Sequence, residues 1–144
     1  MELEGTVFKD GKHWIIEVPS INLMSQGRTK KEALEMIADA AVGLAECYFE
    51  NEIKNDFSIS ATEFGKGVVG ISSNYSKLLL ALSLRRQREK SGTTVREASA
   101  RLGSKSPNAY AQYEKGKTRI PLEKYDLLLK AANPHIHSLL RVVQ

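Results

Sequence analysis

Glycines and prolines cut the second half of this chain into short helical pieces, and that punctuation restricts its possible folds more than any other feature. Residues 77–92, KLLLALSLRRQREKSG, carry apolar Leu78, Leu79 and Leu82 and end at Gly92. Thr94 and Glu97 then form a T-x-x-E capping box, and Gly103 closes the piece they open. Ser106 reads as an N-cap with Pro107 at the first helical position, and Gly116 ends that piece. Pro121 starts another, with Leu122, Tyr125, Leu128, Leu129 and Ala132 on one face, and Pro134 stops it. A last short helix is expected over about 136–143.

Two short helices joined by a glycine-containing turn, with a helix on either side, are the ingredients of a helix-turn-helix unit. The piece at 107–115 is then the recognition helix, whose first residues face the major groove. Ser106, Asn108 and Gln112 are polar and short enough to reach base edges, and Asn and Gln suit adenine. Ala109 can touch a thymine methyl group. Lys105, Lys115, Lys117 and Arg119 flank the helix and suit phosphates. With Thr94 they complete the candidate DNA-contacting set. Tyr110 and Tyr113, three apart, read as core anchors. Arg85, Arg86 and Arg88 suit phosphate contact or the negative end of their own helix equally well.

The first half has a different grammar. Strand-like runs at 4–9 and 12–18 flank Asp10-Gly11, the signature of a type I′ hairpin turn. Pro19 ends the second run, and residues 23–26 can hold a third. Thr29 and Glu32 form another capping box. Leu34, Ile37, Ala38, Ala41, Val42, Ala45, Tyr48 and Phe49 then recur at helical spacing over about 30–52. Phe57, Ile59 and Ala61 alternate with polar residues, and Val68, Val69 and Ile71 follow a hairpin turn at Gly65-Lys66-Gly67. The fold expected is α+β: a small sheet with one long helix over 1–75, then an all-α helix-turn-helix domain over 76–144.

Charge follows the same division. Residues 1–75 carry 7 Lys+Arg against 12 Asp+Glu, a net of −5, and residues 76–144 carry 14 against 5, a net of +9. A basic second half points to a polyanion such as double-stranded DNA, and an acidic first half to a basic partner. No apolar run approaches the roughly 20 residues of a membrane span. The first residues lack an apolar signal core, and the single Cys47 agrees with a reducing compartment, so a cytoplasmic protein is expected.

The stretch LGSKSPNAYAQYEKGKTRIPLEKYDLLLKAA resembles the Cro/repressor type of helix-turn-helix, with Tyr113-Glu114-Lys115-Gly116 matching the ending of that family's recognition helix. Ala98-Ser99 stands where the family usually has Leu-Ala, and one extra residue lies between Gly103 and Glu114. Over about 5–134, the order of GTVFKDGKHWIIEVPSINLMSQGRTKKEALEMIADA, DFSISATEFGKGVVGISSN, LLALSLRRQREKSG and NAYAQYEKGK is similar to that in HicB-family antitoxins. That resemblance implies a degenerate RNase H-like first domain that binds and neutralises the toxin HicA, a small basic RNA-cleaving protein. It also implies a second domain that represses the operon encoding both, as a homodimer or higher oligomer.

No enzyme is expected. RNase H chemistry needs converging carboxylates. Asp10 fits a turn, Glu17 a strand end and Glu32 a cap, while Glu35, Asp39 and Glu46 read as an exposed acidic face suited to a basic toxin. His13 reads as a strand-face residue, and His135-x-His137 alone does not make a metal site. Neither a metal nor a cofactor is expected. The competing functional reading is a helix-turn-helix repressor whose first domain senses a small molecule.

Overall fold

In the computed structural model, which describes all 144 residues, strands β1 (Leu3–Asp10) and β2 (His13–Val18) form the first hairpin. Its turn lies one residue later than expected. Asp10 pairs with His13, leaving Gly11 and Lys12 as the loop. Gly11 has φ 60° and Lys12 does not share its positive φ. A glycine at the first central position is the mark of a type II′ turn, so the type I′ expectation fails there. The second hairpin, β4 (Ile59–Gly65) to β5 (Val68–Ser73), has the type I′ pattern instead, with Lys66 at φ 55° and Gly67 at φ 77°.

After β2 a 3-10 turn over Pro19–Ile21 leads into β3 (Leu23–Gly27). The five strands form one sheet in the order β3-β2-β1-β5-β4, every neighbouring pair antiparallel. Register places Val7 opposite Ile16 and Leu3 opposite Ile71, so one face gathers Val7, Ile16, Val18, Val69 and Ile71, all buried. Helix α1 (Lys30–Tyr48) lies against β2, β3 and β4. It buries Ala33, Ile37, Ala41 and Ala45, one residue per turn. A side chain at Gly27 would come within 2.5 Å of the Ala33 backbone nitrogen, so glycine is what lets the helix start tight against the strand.

Helix α1 stops at Tyr48, short of the expected 52. Phe49 is buried and its N–H donates to the Ala45 carbonyl, but its own carbonyl receives the N–H groups of Glu52 and Ile53 in a separate turn. Strand β4 likewise starts at Ile59, two residues late. Phe57 stacks on Tyr75 at 5.8 Å, and the Ser58 N–H donates to the Asn74 side chain, which holds this segment out of the ladder.

The chain divides into two compact units, Met1–Ser76 with Val143–Gln144, and Lys77–Val142. The second unit is wholly helical: α2 (Ser76–Ser91, starting at the boundary), α3 (Val95–Arg101), α4 (Asn108–Ala111) and α5 (Leu122–Ala132). Its core gathers Leu84, Ala98, Tyr110, Ile120, Tyr125, Leu128 and Leu129. Leu122, placed on that core by periodicity, is 49% exposed, because it begins α5 before the helix reaches the others. The expected helix over 136–143 is absent. Only Ile136 of that stretch packs on the core, and Leu139, Leu140 and Val142 are exposed. The whole is an α+β chain: an antiparallel sheet with one helix, then a helical region. No helix is long and apolar enough to cross a membrane.

Candidate nucleic-acid interface

Helix α3 begins at a complete capping box. The Thr94 hydroxyl accepts from the Glu97 N–H at 3.1 Å, and the Glu97 carboxylate accepts from the Thr94 N–H at 3.3 Å. The helix ends as the chain turns through Gly103 at φ 82°. Helix α4 follows as one α-helical turn that tightens into a 3-10 turn over Gln112–Lys115 and stops at Gly116, φ 77°. The expected single helix over 107–115 is therefore two tightly joined turns.

Ser106 does not cap it. Pro107 already has helical dihedrals and no side chain caps the end. Ser99 of α3 takes over this role from across the turn. Its hydroxyl donates to the Pro107 carbonyl at 2.8 Å and accepts from the Tyr110 N–H at 3.2 Å. The side chain is 1% exposed, so both bonds form away from water. The serine that departs from the Cro/repressor pattern thus joins the two helices of the motif.

Tyr110 is fully buried, and its hydroxyl donates to the Leu84 carbonyl at 3.3 Å. Burial pushes its pKa far above the ordinary value, and the nearby Glu114 carboxylate adds to the effect. Tyr113 is partly buried against the same core, with the Lys124 ammonium 5.6 Å from its ring centre. Both tyrosines hold the motif rather than face a ligand.

Glu114 turns inward. Arg88 on α2 grips it with two bonds, Nε to Oε2 at 2.6 Å and Nη2 to Oε1 at 2.9 Å, and a third bond runs from Arg88 to the Thr93 carbonyl at 3.2 Å. The pair is 16% and 8% exposed. Hydrogen bonding to Glu114 raises the Arg88 pKa, partial burial notwithstanding. Of the three arginines suggested for phosphate contact, Arg88 is committed to this fork. Arg85 pairs with Glu89 at 3.0 Å. Arg101 donates to the Thr93 hydroxyl at 3.0 Å and the Ala131 carbonyl at 2.7 Å, fastening α3 to the end of α5.

The candidate contact residues mostly remain on the surface. Thr94, Lys105, Ser106, Asn108, Lys115, Lys117 and Arg119 are exposed, and Ala109 and Gln112 are half-buried. Thr94 spends its acceptor on Glu97, which leaves its hydroxyl hydrogen for a phosphate. Polar side chains therefore lie at the start of α4, with cations before and after it. Sequence reasoning passed over Arg96, exposed in the first turn of α3. A cation in a helix's first turn opposes the helix dipole, and that misfit was the available signal.

In the first unit, Glu35, Asp39 and Glu46 are all exposed on α1. At about 100° per residue they fall within roughly 40° of one another, well away from the buried stripe. No group of three His, Cys, Asp or Glu side chains is placed to hold a metal ion.

A family model described as a helix-turn-helix matches residues 84–133, from within α2 to the end of α5. No curated protein matches the chain. The matched residues contain the capped α3, the Gly103 turn and α4, and together they support a DNA-binding transcription regulator acting on double-stranded DNA.

Proposed function

We propose that this chain is an antitoxin that represses its own operon. Its second unit binds operator DNA, and its first unit binds and neutralises a HicA-type, mRNA-cleaving toxin. The observation that carries the reading is a helix-turn-helix match confined to residues 84–133, attached to an antiparallel sheet-and-helix unit of opposite charge. The HicB-like order of segments named above is what identifies the partner class.

In the DNA half, Asn108 and Gln112 read base edges, Ser106 and Ala109 assist, and Thr94, Lys105, Lys115, Lys117 and Arg119 hold phosphates. In the toxin half, the acidic face of Glu35, Asp39 and Glu46 attracts a basic ribonuclease and orients its approach. The chain is not itself an enzyme: it covers the toxin's active surface. Repression calls for at least a dimer, because two recognition helices must reach half-sites about 34–36 Å apart. The setting is cytoplasmic.

Co-expression with the adjacent open reading frame tests this reading. The expected result is co-purification of a small basic protein that arrests growth alone and is harmless beside this chain. If no partner is recovered and toxicity is unchanged, the antitoxin half is wrong, and a repressor governed by a small ligand becomes the better account.

A further inference from the structure

Beyond Ala132 the chain has no regular secondary structure, yet it is rich in apolar side chains. Leu139 is 93% exposed, Leu140 73%, Val142 88% and Val143 42%. Apolar exposure this dense in so short a segment marks a surface that another surface covers. Ile136, Leu139, Leu140 and Val143 recur at intervals of three, one and three, so in a helix they would share a stripe about 100° wide. His137, Ser138, Arg141 and Gln144 would fall on the opposite side.

We infer that this C-terminal segment is the pairing surface between two copies of the chain, and that it becomes helical as the copies pair. A helix this short is not stable alone in water, which explains why a single copy leaves it unwound. A second, identical stripe supplies the missing cover, and identical patches meeting across a two-fold axis form a closed dimer. Ile136 already packs on the core of the helical unit, so the segment starts from a fixed point. The four exposed residues alone present on the order of 400 Å² of surface per copy, about half of the roughly 800 Å² per partner in a stable interface.

The choice of a second copy as occupant rests on the repressor reading, which needs two recognition helices. The test is therefore made without DNA or toxin. Sedimentation equilibrium of the full chain compares wild type with Leu139→Ser combined with Leu140→Ser, both positions being on the surface and outside every helix and strand. The expected wild-type mass is twice 16.0 kDa. The variant should dissociate at least about tenfold more readily, with an unchanged melting profile. Helical circular dichroism should rise with concentration in wild type only. A wild-type dimer that the double substitution leaves untouched overturns the inference while sparing the repressor reading. A monomeric wild type overturns both the inference and the requirement for a dimer. If mass is unaffected but toxin recovery is lost, the segment faces the toxin and the inference is wrong.

Discussion

Glu114 is a carboxylate turned inward at the end of the recognition segment, and Arg88 makes that position tolerable. Its fork satisfies both carboxylate oxygens. Removing one partner leaves the other charge desolvated, which costs more than the bridge itself contributes. Glu114→Ala should therefore destabilise the helical unit by about 3 kcal/mol in urea unfolding, with an unchanged m-value. A loss within about 0.5 kcal/mol, the usual range for a surface change, would show that the bridge is solvated. Sequence reasoning foresaw Tyr110 as a core anchor because local spacing reveals it. It missed the destiny of Arg88 because the partner lies 26 residues away, beyond any helical period. Tyr110 itself makes stability depend on pH. Its neutral form is favoured when folded, so its folded pKa lies above the unfolded value of about 10. The folded state keeps this proton after the unfolded chain has lost it. Stability is therefore flat below pH 10 and falls above it, by up to about 1.4 kcal/mol per pH unit. Tyr125 is raised in the same direction by burial and adds to the slope. Urea titrations of wild type and Tyr110→Phe on either side of pH 10 should show a shallower alkaline loss in the variant. Equal slopes would mean that the Tyr110 hydroxyl titrates freely in the fold.

At the scale of elements, punctuation was the most readable layer of the sequence. Gly92, Gly103 and Gly116 all have positive φ at helix ends, as their positions suggested. The kind of turn was harder to read, because it depends on register. The hairpin at Asp10-Gly11 slipped to Gly11-Lys12 once Asp10 paired with His13. The cap of α4 was also assigned to the wrong residue, since the group that satisfies it is on another helix. Ser99→Ala tests that joint. It removes a buried donor to the Pro107 carbonyl, and a loss of about 1 kcal/mol is expected. A neutral outcome would mean that the remaining bonds from Tyr110 and Ala111 to the Pro107 carbonyl suffice. On the DNA side, α4 and its flanks should separate cleanly by chemistry. Asn108→Ala or Gln112→Ala should weaken binding to the fragment upstream of the gene by about 1–3 kcal/mol and relax base preference. Lys117→Ala should weaken binding to every sequence alike and lower the salt slope by about one. If the two classes behave identically, α4 does not read bases.

Over the whole molecule, the division of charge was readable at once: −5 in one half, +9 in the other. What composition could not reveal is whether the acidic charges form a surface. Helical geometry answers this for three of them, because Glu35, Asp39 and Glu46 recur at four and seven residues along the outer side of α1. Such a stripe acts mainly before contact, by raising the rate at which a basic partner arrives correctly oriented. Replacing all three by lysine should therefore slow association with the co-purified toxin by about 10- to 100-fold at low salt, and by much less at high salt, where the field is screened. Dissociation should change little, because rim charges bear chiefly on the association rate. The variant's melting temperature separates this effect from misfolding, since exposed positions seldom change stability by more than about 0.5 kcal/mol. An unchanged association rate would place the toxin on another face of the unit. A change in dissociation alone would bring these carboxylates into the contact itself rather than its approach.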